Sequence, residues 1–421
     1  MAACGCRFLP DETLPPVKLV SFPKDHLIVG EALPFGIYDG SGRLLLAGGQ
    51  RIHDAAQLDD IIRQETFSEE SESAEWMRKL GAAMDTALRA NAALTKVANA
   101  RPDAEKPGSK KDEVERIPQT LPEQWEDFIL TLEGAFRDVQ PGPAWLTRVN
   151  QVHERARQVA TRRLDASLYY LVYTCGDSIK NYSSRHAFLT MLVCEQAATL
   201  MGWPDEWRNA IGKAALTMNV SMAKLQDMLA DADMRPTPMM RADIDAHPER
   251  AVQLLRDSGI DDELWLDSVR FHHEIPEAGE RLDELPNGKQ LSRLLRRVDI
   301  FTAKMSRRRM RAPMSPVQAA KEACLAEDGK PDLYGSALIK ALGIYPPGSF
   351  VELATGEVGV VVSRGKRANL PLVASLVTPS GAPLGEPVLR DTMTPRYAVR
   401  HAVVATRVKV RPTHNRLIAL I

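Results

Sequence analysis

Four of the nine histidines, His186, His247, His272 and His273, fall on helical patterns in the middle of the chain. Neutral imidazole is the commonest protein ligand for transition metals. His186 shares a face with Leu189, Val193 and Ala197, and His247 opens a helix in "DAHPERAVQLL". His272 lies on an inward stripe with Trp265 and Val269, and His273 follows it. Asp299, in "LLRRVDIFTAK", is flanked by apolar residues, and a buried carboxylate needs a partner. A lone histidine on an apolar face is usually a hydrogen-bonded core residue. The order and shared helical setting of these five make a metal site the sharper reading. Between His186 and His247 runs "AALTMNVSMAKL" (214–225), which reads as a helix of small and apolar residues. It sets a thioether and a neutral amide, Met218 and Asn219, where a metal site would want charge.

The elements that must position these residues are helical. From about 120 to 342 the periodicity is that of amphipathic helices almost throughout, and it predicts one all-α domain. Residues 16–67 predict a small β-containing unit, with a hairpin around Asp39-Gly40-Ser41-Gly42 and a short helix in "HDAAQLDDIIRQ". Residues 73–99 predict a further helix. Residues 101–118 predict a linker: ten of the eighteen are charged, too many to bury enough surface to offset ordering. After "GIYPPGSF" the pattern changes to strand and turn, predicting a β-rich C-terminal extension over 346–421. The fold class expected is mainly α, flanked by two β-containing parts.

Composition narrows the function classes. The chain of 421 residues is 44% hydrophobic and 26% charged, with a formal net charge of −1. That balance gives no global push toward nucleic acid or an anionic membrane, and neither is expected as a partner. The five cysteines make no zinc-type pairs and read as reduced thiols, and the N-terminus has no apolar signal segment, so a cytoplasmic setting is expected. "AIGKAAL" lacks the upstream glycine and the Ser/Thr of a phosphate-binding loop. Ser183 and Ser184 lack the strained strand-to-helix turn of a nucleophile.

The collinear set of motifs resembles the HD-GYP domain, an all-helical metal-dependent phosphodiesterase domain that cleaves cyclic di-GMP. "YSSRHAFLTMLVCEQAATLMG" is similar to its first ligand helix, "AHPERAVQLL" to the next histidine motif, "VRFHHE" to its paired histidines, and "RVDIFTAKMSRRRMRAPMSPVQAAKEA" to its closing aspartate helix. The resemblance implies His186, His247, His272, His273 and Asp299 as metal ligands. It extends to "LPFGIYDGSGRLLLAGGQRI", which resembles the small domain that often precedes this family, and to "YPPGSFVELATGEVGVVV", which resembles its usual C-terminal extension.

The departures change what the resemblance implies. The family's H-D-x-G-K falls on Met218, Asn219, Val220, Ser221 and Met222, and the G-Y-P loop after the paired histidines is replaced by "IPEAGERLDELPNG". Two-metal phosphoryl chemistry uses ions roughly 3.5–4 Å apart, and a bridging carboxylate holds them. Asn219 offers one neutral oxygen, and Met218 a soft thioether poorly matched to iron, manganese or magnesium. A dinuclear site is not expected. The remaining ligands suffice for one divalent ion, zinc, iron or manganese, if any is bound.

Between Pro286 and Arg311 stand nine Lys or Arg and one acid. A charge run is usually a solvated face. In the resembled family an R-P-Y-R type motif follows the aspartate and contacts the cyclic dinucleotide. Here "RRMR" puts Arg308 and Arg311 at its basic positions, and these are the expected substrate-binding residues.

The leading expectation is thus a degenerate HD-GYP-type bacterial signalling protein that binds cyclic di-GMP or a protein partner without efficient hydrolysis. The alternative is a metal-dependent phosphohydrolase with a mononuclear site. A third reading leaves the histidines as structural remnants.

Overall fold

The computed structural model describes residues 119–137, 139–277, 280–325 and 331–421, with parts of 19–80, chiefly 19–21, 35–46 and 66–70. The chain divides into two compact units, 1–115 and 116–421. The protein is mainly α, with a β-rich C-terminal part.

The first unit holds an antiparallel sheet of β1 (Leu19–Ser21), β2 (Ile37–Tyr38), β3 (Leu44–Leu46) and β4 (Phe67–Glu69), in the order β1-β4-β2-β3. The Asp39–Gly42 turn joins β2 to β3. Asp39 Oδ1 accepts from the backbone N–H groups of Ser41 (2.8 Å) and Arg43 (3.0 Å), and Gly42 takes φ +83°, which a side chain would resist. Leu33, Phe35, Ile37, Ile52 and Ile61 form its core. Helical residues occur at 57–59, 61 and, within 72–80, at the described positions. Residues 81–99 of the expected helix, the expected linker at 101–118, and Cys4 and Cys6 lie outside the described residues.

The second unit begins with α1 (Leu121–Arg137), α2 (Pro143–Arg162) and α3 (Leu164–Asp177). The central helix is α4 (Tyr182–Leu200), whose residues are buried on nearly every side from Tyr182 to Glu195. Then follow α5 (Asp205–Thr217), a 3-10 turn (Val220–Met222), α6 (Ala223–Asp231), α7 (Pro238–Asp257) and α8 (Glu263–Phe271). α9 (Asn287–Met305) buries the stripe Leu291, Leu294, Leu295, Val298, Phe301 and Met305. α10 (Pro316–Cys324) and α11 (Leu333–Leu342) close the helical part.

The continuous helix expected over 214–225 is a correction. α5 stops at Thr217, and Asn219 takes φ −102°, ψ 7°, outside the helical region. Neither glycine nor proline marks this stop. It follows from tertiary packing: Met218 is fully buried, and the Ser221 hydroxyl donates to the His247 carbonyl on α7 (2.9 Å).

The C-terminal sheet consists of β5 (Phe350–Leu353), β6 (Val358–Ser363), β7 (Leu372–Val377), β8 (Pro383–Asp391) and β9 (Val399–Val403), antiparallel in the order β8-β7-β6-β5-β9. One face shares the helical core through Phe350, Val360, Val362, Ala374 and Leu376. The other forms a second cluster of Val351, Leu353, Val361 and Val373. Burial on both faces explains why β6 and β7 read as near-continuous apolar runs. The Val- and Arg-rich tail ends in α12 (His414–Ile418), whose His414 ring packs edge-on against Tyr169, Tyr170 and Tyr173 and hydrogen-bonds the Tyr169 hydroxyl (2.9 Å). Cys175, Cys194 and Cys324 are free and buried. Among the described residues no helix is long and apolar enough to cross a membrane.

Candidate metal centre

Three of the five expected ligands converge. Ligand atoms of His247, His272 and His273 lie within 4.8 Å of one another, and the ring centroids are 4.4–5.0 Å apart. His247 comes from the middle of α7, and His272 and His273 from the end of α8.

The backbone decides which nitrogen each of the buried pair presents. Inside α7, Pro248 has no N–H, so the Ile244 carbonyl four residues earlier loses its helical donor. His247 Nδ1–H donates to that carbonyl. At the end of α8 the Val269 carbonyl is among the last four, which have no intrahelical partner. His272 Nδ1–H donates to it (2.6 Å). A carbonyl only accepts, so in each ring Nδ1 carries the hydrogen. Both Nε2 atoms of the neutral rings are therefore bare lone pairs, and they face each other at 3.1 Å. Two lone pairs at that distance repel unless a proton or a cation lies between them. Burial opposes the proton: it pushes the His272 imidazole down to about 3, with the His273 and His247 charges adding to it, and the His247 imidazole down to about 4. His273 is the exposed member of the three, yet its ring is desolvated enough by its neighbours to lower its imidazole as well. The donor set fits one transition-metal ion. Ligating histidines commonly donate their second ring N–H to a backbone carbonyl, as both of these do.

The other two expected ligands, His186 and Asp299, face each other. His186 Nε2 donates to Asp299 Oδ1 at 2.8 Å. Burial works to raise the Asp299 carboxyl, but the hydrogen bond from His186 and the electrostatic pull of the surrounding imidazole rings hold it at about 2. The carboxylate keeps 20% of its side chain exposed, whereas His186 keeps 1%. His186 Nδ1 is buried without a hydrogen-bond partner among the described residues.

The 218–222 segment, where the family resemblance set the second-ion ligands, supplies no anionic side chain. Met218 is in the core, and the Val220–Met222 turn faces a cavity that also includes Phe136, Arg250 and Leu254. The segment after the paired histidines is pinned instead of open. Arg293 of α9, 4% exposed, forks onto Glu280 (2.7 and 2.8 Å) and reaches Glu274 (3.2 Å). The bidentate geometry makes this a strong, oriented contact.

Arg308 and Arg311 turn inward. Their backbones pair with each other in a tight turn (3.2 Å in both directions). Arg308 donates to the Tyr182 hydroxyl through Nε (3.1 Å) and Nη2 (2.8 Å), with its guanidinium 4.9 Å from that ring. Arg311 Nη2 donates to the Ala303 carbonyl at 2.6 Å. Tyr182 in turn stacks on His186, with centroids 5.9 Å apart and planes within 8°. Sequence reading missed Tyr182, although its position one helical turn before His186 is a usable signal.

No model of a known protein family matches the chain, and no curated protein matches it. Among solved structures the chain is similar to Bd1817, a HDG"Y"P protein from Bdellovibrio bacteriovorus. The two share 13% identity with a TM-score of 0.41, over 77% of this chain and 99% of that one.

Proposed function

We propose that this chain is a degenerate HD-GYP-type signalling module that holds one divalent ion at His247, His272 and His273 and does not hydrolyse cyclic di-GMP efficiently. The observation that carries the reading is the pair of Nε2 lone pairs aimed at each other in a buried, neutral setting. Three imidazoles suit zinc or iron, with manganese a weaker match. The ion would supply Lewis acidity there. The chain's own residues orient the donors and keep Asp299 ionised beside them. What is missing is charge at 218–222, where a second ion and a phosphate would need it. Arg308 and Arg311 commit part of their donors to Tyr182 and Ala303, which weighs against cyclic di-GMP as the species they hold.

The second reading, a mononuclear phosphohydrolase, is favoured by one feature: the ionised and partly exposed Asp299 carboxylate can act on a bound group. Incubation of metal-loaded protein with cyclic di-GMP separates the two. The first reading expects no product above the metal-only background. Turnover on the order of 1 s⁻¹, within the ordinary range of enzymes, would establish the second.

A further inference from the structure

Residues 343–421 hold ten Lys or Arg against four Asp or Glu, although the whole chain carries a formal charge of −1. Three of the four acids are already ion-paired: Glu352 with Arg400 (2.9 Å), Glu357 with Arg390 (2.7 Å) and Glu386 with Arg416 (2.8 Å). The fourth, Asp391, accepts from the Met393 backbone. Of the remaining cations, Arg364 pairs with Asp165 and Arg411 with Asp177 of the helical part, and several of the others gather beside Arg364. A cavity of about 200 Å³ between the end of α11 and the β6–β7 loop is lined by Lys340, Arg364, Lys366 and Arg367, with Tyr345 as an aromatic wall. No acidic residue lines it among the described residues.

The cavity is built rigidly. Arg364 is tied to Asp165 and donates to the Ala341 carbonyl (2.8 Å). The loop closes through Ile344 N–H to the Ala368 carbonyl (2.8 Å) and Leu370 N–H to the Arg367 carbonyl (3.0 Å). Gly365 allows the closure, since a Cβ there would fall 1.6 Å from the Leu370 oxygen. Lys340, Lys366 and Arg367 are exposed and form no ion pair among the described residues. Holding like charges together on a fixed loop costs energy that a bound anion would return.

We propose that this cavity is a binding site for a small phosphate-bearing anion, with phosphate held by Lys340, Lys366 and Arg367 and any organic part resting on Tyr345. Arginine and lysine suit phosphate as fork and point charge respectively. The inference does not depend on the histidine cluster. Calorimetric titration of the full chain with inorganic phosphate and with ribose 5-phosphate, at low salt and at about 150 mM salt, tests it. Binding should weaken with salt and fall roughly tenfold or more in K366A/R367A, the loss of two charge-assisted contacts. Tighter binding of ribose 5-phosphate would identify a phosphate ester, and equal binding phosphate itself. R407A/K409A removes the same charge from exposed positions of the same unit and should change binding by roughly twofold or less. No heat with either probe, or equal losses in the two double variants, would overturn the site.

Discussion

The histidine triad and the 218–222 turn that braces it differ in what their side chains offer. On one side, α7 and α8 present His247, His272 and His273 as converging donors, each of the buried pair fixed by a backbone carbonyl. On the other, the turn at 218–222 has turned its first side chain into the core and uses Ser221 to brace His247 through a main-chain contact. The difference teaches that ligand geometry and ligand chemistry are separable. The 218–222 turn keeps a structural role without ligand chemistry. The triad keeps donors whose arrangement is unfavourable when nothing lies between them.

The most drastic way to break the comparison is to remove the donors. H272A/H273A should lose essentially all bound metal by elemental analysis while its helical circular dichroism is retained. Metal content equal to wild type would place the ion elsewhere.

Acid should act next. The His247 and His272 imidazoles are depressed from their unfolded value near 6.5 to about 4 and about 3. The unfolded chain therefore binds more protons over that interval. Their contribution is full above about pH 6.5 and is lost as pH falls toward 4 and then 3. For His247 alone this is on the order of 3 kcal/mol, from about 1.4 kcal/mol per pK shift of one. Urea unfolding of metal-free protein between pH 7 and pH 4 should show it, with a shallower slope in H247Q/H272Q. Parallel slopes in the two proteins would contradict the neutral, buried assignment.

Pro248 sharpens the comparison with a smaller effect. P248A restores the N–H that competes for the Ile244 carbonyl, so His247 loses its fixed tautomer. Metal affinity should fall by roughly 10–100-fold, the usual cost of an outer-shell partner, while the helix becomes no less stable. Unchanged affinity, measured by competition with a chelator of known strength, would mean that the carbonyl does not orient the ring.

Much of this was legible in the sequence, for physical reasons. The helical stripes that carry His186, His272 and Asp299 follow from local periodicity, and the hairpin at Asp39–Gly42 from turn chemistry. The Pro248 device was not: the sequence pattern reads His247 as opening a helix, whereas α7 starts at Pro238 and holds the His-Pro pair in its interior. What else was not legible depends on contacts between distant segments. The break after Thr217 has no local stop signal. The inward turn of Arg308 needs Tyr182, and the closure after the paired histidines needs Arg293 to find Glu274 and Glu280. The mutual bond of His186 and Asp299 joins residues 113 positions apart.

The central claim is that one half of the centre still holds an ion and the other does not. Metal stoichiometry of the full chain, purified without chelator and then saturated with zinc, iron or manganese, tests it most directly. The account predicts one tightly held ion per chain, released on acidification through the range in which His247 and His272 protonate. Two ions per chain would restore a dinuclear centre, and no ion under any loading condition would reduce the three histidines to packing residues.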